Sequence, residues 1–104
     1  MSFTFASLAG YDPGDPRITA AREDFDNLGN LILKLVARRK ALGITQCDVA
    51  RTMGTTQSAV SRLERTGGNP TVQTLQEYAR AIGMRLNLDA SPIDALRADL
   101  KASA

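Results

Sequence analysis

Apolar side chains in the first half of the chain recur with helical spacing. Ile18, Phe25, Leu28, Ile32, Leu35 and Val36 fall on one face of a helix, which predicts a long amphipathic helix from about Arg17 to Ala41 with Phe25 inside. Gly29 interrupts that pattern and marks either a break or a close contact. Gly43 is a natural stop, and Arg38, Arg39 and Lys40 suit the negative end of the helix dipole. Thr45-Gln46-Cys47-Asp48 then has the form of a capping box, with Asp48 in the place more often held by a longer acid. Val49, Ala50 and Met53 give a short second helix its apolar face, and Gly54 ends it. A third helix starts at Thr55 or Thr56, turns Val60 and Leu63 inward, and stops near Thr66-Gly67-Gly68. Thr71 caps a fourth helix to Ile82, with Val72, Leu75, Tyr78, Ala79 and Ile82 buried.

The two ends have other patterns. Gly10, Pro13, Gly14 and Pro16 make residues 1–16 a flexible arm with a turn. Met84, Leu86 and Leu88 alternate with Arg85, Asn87 and Asp89, a period of two that predicts a short strand. Ser91-Pro92-Ile93-Asp94 opens a last short helix carrying Ile93, Leu96 and Leu100. A lone strand cannot satisfy its own backbone and must pair with something, a second copy of the chain being the first candidate. The expected fold is therefore all-α, a five-helix domain with a short C-terminal strand and terminal helix used for dimerisation. Residues 17–83 form the main domain, and 84–104 a dimerisation or partner-binding tail.

Composition changes this picture little, and charge changes it more. With 104 residues, 43% hydrophobic and 23% charged, the chain has room for one modest core. No apolar run approaches the ~18 residues that span a bilayer, and Met-Ser-Phe-Thr-Phe-Ala-Ser has no basic n-region. A cytoplasmic protein without a membrane partner is expected. Cys47, the single cysteine, has no histidine or second cysteine with which to build a metal or redox site. The net charge of +2 is unevenly spread. Residues 1–33 carry −3, and residues 66–104 are balanced. Between them, Lys34, Arg38, Arg39, Lys40, Arg51, Arg62 and Arg65 stand against only Asp48 and Glu64, a net +5. A basic centre suits a polyanion-binding face, although clustered charge is often no more than a solvated surface.

The spacing within the basic third decides between these. Two short helices joined at a glycine, the second beginning with polar residues, is the helix-turn-helix layout. Counting from Gln46, the small Ala50 is fifth, where the two helices cross closely, and Gly54 is ninth, where the turn needs positive φ. Val60 and Leu63, fifteenth and eighteenth, bury the back of the second helix and leave Gln57, Ser58, Ser61 and Arg62 outward. The run Leu42 to Arg65, followed by Asn69-Pro70-Thr71-Val72-Gln73-Thr74-Leu75, resembles the Xre/lambda-repressor family over roughly residues 28 to 83. That resemblance implies that the second helix of the motif lies in the major groove of double-stranded DNA, with Gln57 and Ser58 as base readers and Arg62 one turn further on. The residue chemistry agrees, since glutamine pairs bidentately with adenine and arginine with guanine. The resemblance further implies that Gln46 grips phosphate and braces Gln57. Thr56, Arg65, Arg38 and Asn69 suit phosphate contacts. Arg39 and Glu64 are implied to be a structural ion pair.

Enzyme chemistry fares badly: the chain has no histidine, nucleophile elbow, phosphate-cradling loop or metal-ligand cluster, a carboxylate-only site from Glu23, Asp24 and Asp26 would fall on an exposed stretch of the leading helix, and no cofactor is expected. One such domain recognises few base pairs, so a homodimer on a palindromic operator is expected. The long acidic leading helix and the finish Ile82-Gly83-Met84-Arg85-Leu86-Asn87-Leu88 resemble HigA-type antitoxins. Those imply a RelE/ParE-like protein toxin as partner, covered by the acidic segment 12–26, and repression of the antitoxin's own operon. A free-standing or phage-type repressor remains the alternative reading.

Overall fold

In the computed structural model, residues 14–65 and 69–93 are described. They form four helices: α1, Pro16–Ala41; α2, Gln46–Met53; α3, Gln57–Glu64; and α4, Val72–Ala81. The described residues are all-helical, and each boundary has a local cause. The side chain of Asp15 accepts the Arg17 N–H at 2.8 Å and opens α1. Three cations, Arg38, Arg39 and Lys40, occupy its last turn. Gly43, at φ 71°, turns the chain out of α1.

The described residues divide into two compact units, one within residues 28–88 and one of residues 14–27 with 89–93. The first unit has a core of Ile32, Leu35, Val49, Ala50, Val60, Leu63, Leu75, Tyr78, Ala79 and Ile82. Three short helices and the second half of α1 supply it, so no helix could stand alone. Along α4 and its C-cap residue Ile82 the buried positions step as 75, 78, 79 and 82, one stripe of a helix. In the second unit Ile18 is buried, while positions 22–27 of α1 are all exposed.

Four expectations change. Phe25 lies on the helical face shared by Ile18 and Ile32 yet is 63% exposed. A period marks a face but not how far along the helix other elements cover it. Val72 is 52% exposed because it is the first residue of α4, ahead of the stripe that meets the core. Gly29 marks neither a break nor a close approach: α1 runs straight through it, and a Cβ there would meet nothing within 4 Å. The segment Met84–Asp89 is not a strand. Its alternation instead lays Met84 and Leu86 against the core and turns Arg85 and Asn87 outward, with Leu88 64% exposed. Met84 N–H donates to the Ala79 carbonyl at 2.8 Å, which ties the segment to the end of α4 rather than to a ladder. The arm over residues 1–13, the stop at 66–68 and the terminal helix beyond Ile93 lie outside the described residues. Among the described residues, no helix is long and apolar enough to cross a membrane.

Candidate nucleic-acid interface

Both short helices are set by threonine caps. Thr45, in extended conformation, accepts the Asp48 N–H at 3.0 Å, and Asp48 accepts the Thr45 N–H at 2.9 Å, closing the capping box. These backbone and side-chain bonds hold the Asp48 carboxyl below its ordinary value. Gly54 ends α2 in the left-handed region at φ 69°. The following Thr55 N–H reaches back to the Ala50 carbonyl at 2.9 Å. Of the two candidate caps for the next helix, Thr56 serves, its hydroxyl accepting the Ala59 N–H at 3.1 Å. A three-residue turn therefore separates the helices, and Gln57 becomes the first residue of α3.

Val60 and Leu63 anchor the inner side of α3. Its outer side presents Gln57, Ser58 and Arg62 as exposed residues and Ser61 as half-buried, and these line one open depression with Arg65. Thr56 is exposed beside Gln57, Arg38 is exposed on the last turn of α1, and Asn69 is exposed ahead of α4. None of these polar groups has to satisfy the core; the Thr56 hydroxyl is engaged in capping α3 and the Gln57 amide lies against Gln46. Cys47 is a free, exposed thiol. Among the described residues, no group of three His, Cys, Asp or Glu side chains is placed to hold a metal ion.

Behind this face lies a buried polar hub. Arg39 is the buried charged residue of the core, and it forms a two-point ion pair with Glu64: Nε to Oε2 at 2.7 Å and Nη2 to Oε1 at 2.9 Å. Its third nitrogen, Nη1, donates to the Ile44 carbonyl at 2.9 Å. The Tyr78 hydroxyl donates to Glu64 Oε2 at 2.6 Å, and Gln46 Nε2 donates to Oε1 at 3.0 Å. Each carboxylate oxygen thus accepts two hydrogen bonds, which fills its acceptor capacity. No buried side-chain polar atom is left without a partner among the described residues. Burial pushes the Glu64 carboxyl up, but the bonds from Arg39, Tyr78 and Gln46 outweigh it and hold the group below the usual carboxylate range. The hydrogen bond to Glu64, against the opposing effect of burial, raises Arg39; burial and the same carboxylate raise Tyr78. The hub joins α1, α2, α3 and α4 through one residue each.

Gln46 connects hub and surface. Its Oε1 lies 3.5 Å from Gln57 Nε2, so the first residues of α2 and α3 touch side chain to side chain. Tyr78 is the member that sequence reasoning missed: it is fully buried, yet its hydroxyl serves the polar hub. A tyrosine rather than a phenylalanine on a core stripe is the available signal, since its hydroxyl must find a partner there.

The arrangement has relatives among known proteins. A family model described as helix-turn-helix matches residues 35–88. Antitoxin HigA1 from two strains of Mycobacterium tuberculosis is 39% identical over 85 residues, covering 78% of this chain and 57% of the relative. The chain therefore spans little more than half the length of those relatives. No solved structure gives a significant match.

Proposed function

The chain belongs to the Xre-like helix-turn-helix family, and on that premise we propose that it is a sequence-specific, DNA-binding transcriptional repressor acting in the cytoplasm as a regulator, not an enzyme. The observation that carries this is the outer row of α3, where Gln57, Ser58, Ser61 and Arg62 face away from the core on a helix pinned at both ends. Laid in the major groove, Gln57 pairs with adenine and Arg62 with guanine, while Ser58 and Ser61 donate or accept at neighbouring bases. Gln46, Thr56, Arg38, Arg65 and Asn69 grip phosphates on either side. Dimerisation gives the specificity that one short helix lacks, on a palindromic operator with half-sites about 34–36 Å apart. Met84–Asp89, with Leu88 64% exposed, belongs to the dimer surface in this reading. The domain assignment follows: 17–83 binds DNA and 84–104 associates.

A mobility-shift assay on the DNA upstream of its own gene tests the base-reading assignment. Gln57→Ala abolishes the specific shift, and an unaffected shift would remove α3 from the reading role.

The likeness to Antitoxin HigA1 supports a second layer, in which the chain neutralises a RelE/ParE-like toxin and represses their shared operon. The segment before residue 27 carries the net negative charge suited to a basic ribonuclease surface. Deleting residues 1–26 abolishes rescue from the co-expressed neighbouring toxin and leaves the operator shift intact. If no toxin gene adjoins and no rescue occurs, the free-standing or phage-type repressor replaces the antitoxin.

A further inference from the structure

Glu64 stands at the back of α3, away from any base, but its acceptor-only carboxylate has a consequence at the surface. Gln46 can present to that carboxylate only the nitrogen end of its amide, because an oxygen there would face another oxygen. Gln46 Nε2 accordingly sits 3.0 Å from Glu64 Oε1. The amide is rigid and planar, so its oxygen must face the other way, and it lies 3.5 Å from Gln57 Nε2. The same logic then applies to Gln57. An N–H of its amide turns toward Gln46, which leaves its second N–H and its carbonyl oxygen for the outside. One donor beside one acceptor is the pattern that matches the N7 and N6 amino group of adenine; guanine offers two acceptors, N7 and O6, at the same edge.

We infer that Glu64 is a positioning residue for base selection: through Gln46 it fixes which end of the Gln57 amide faces the DNA, and so favours adenine over guanine at that base pair. The relay rests on the base-reading role proposed for Gln57. The parts of the relay are of different stiffness. The Glu64 end is buried and held by three side chains, Arg39, Tyr78 and Gln46, whereas the Gln46–Gln57 contact is exposed and long. The buried end sets the direction and the exposed end transmits it, with water competing only at the last step.

The test is selection from duplex DNA randomised over about 20 base pairs, two helical turns, with wild type and three variants of the full chain. Wild type is expected to select adenine at one position per half-site, and Gln57→Ala to lose selection there. Gln46→Met cuts the relay while Arg39 and Tyr78 still hold Glu64. It is expected to lower the adenine-over-guanine preference at that position roughly tenfold, within the discrimination a bidentate pair provides. Selection at the other positions stays near wild type, and the thermal midpoint falls no further than in Tyr78→Phe, which also removes one donor from Glu64. Any lost phosphate grip lowers affinity for all sequences alike and does not move this ratio. Glu64→Gln, where it folds, lets the Gln46 amide reverse and moves selection toward guanine. An adenine preference unchanged in Gln46→Met, with selection lost in Gln57→Ala, would overturn the relay and leave the reading of DNA by Gln57 standing. Failure of wild type to select any motif, or selection unchanged in Gln57→Ala, would overturn both.

Discussion

Four donors on one carboxylate make Glu64 the residue on which the helix-turn-helix unit depends most. Its side chain and that of Arg39 are only 8% and 9% exposed, so neither can turn to water if the other is removed. Arg39→Ala is expected to cost about 3–5 kcal/mol, chiefly from the stranded charge, read as a fall in the urea midpoint. Tyr78→Phe removes one donor and keeps the ring, and should cost about 1–3 kcal/mol. The pH dependence has a definite sign. Unfolded, Glu64 titrates near the ordinary 4.5; folded, it titrates lower. Between those values the unfolded chain binds more protons, so acid favours unfolding. The stability contributed by Glu64 is complete above about pH 4.5 and is lost as pH falls through the folded value. Tyr78 has the opposite behaviour, its folded value lying above the ordinary 10.0, so stability falls as pH rises past that point. Urea midpoints across pH should show both limbs, with Glu64→Gln flattening the acid one and Tyr78→Phe the alkaline one.

Among the elements, caps and glycines carry the separable effects. Thr45→Ala and Thr56→Ala each lose a cap and should cost about 1 kcal/mol. Thr56→Ala should also weaken DNA binding, since α3 begins there. The glycines divide by conformation. Gly54 holds φ 69°, and Gly54→Ala should destabilise by about 1 kcal/mol or more despite open space around it. Gly29 is helical, and a methyl group there would meet nothing within 4 Å, so Gly29→Ala should stabilise by roughly 0.5–1 kcal/mol. Thermal melts of the two variants should therefore move in opposite directions. The sequence shows both glycines equally well; only the backbone conformation separates a required one from a tolerated one.

For the molecule as a whole, the basic third of the chain becomes physical once the helices are placed. Of its seven cations, Arg39 turns inward to Glu64, and Arg51 lies 3.6 Å from Asp48, while Arg38, Arg62 and Arg65 are exposed. Arg38→Ala and Arg65→Ala should each weaken binding to all DNA sequences alike and lower the slope of log affinity against log salt by about one. Arg62→Ala should instead relax selection at one position. Measuring affinity for specific and unrelated duplexes at several salt concentrations separates the two kinds of arginine.

Much of this was legible in the sequence because the information is local. The boundaries of α1 to α4 follow from Thr45, Thr56 and Thr71, from Gly43 and Gly54, and from apolar steps of three and four, all of which act within a turn or two of chain. The outward row on α3 follows from Val60 and Leu63 facing in. Tertiary structure decided what depends on coverage and convergence. Phe25 has the right period but is 63% exposed, and Met84–Leu86 has a strand's alternation but a helical core to lie on. The meeting of Arg39, Gln46, Glu64 and Tyr78 at one carboxylate joins residues up to 39 positions apart, one from each helix. No local pattern encodes that meeting, because only the packing of four helices brings the side chains within hydrogen-bond reach.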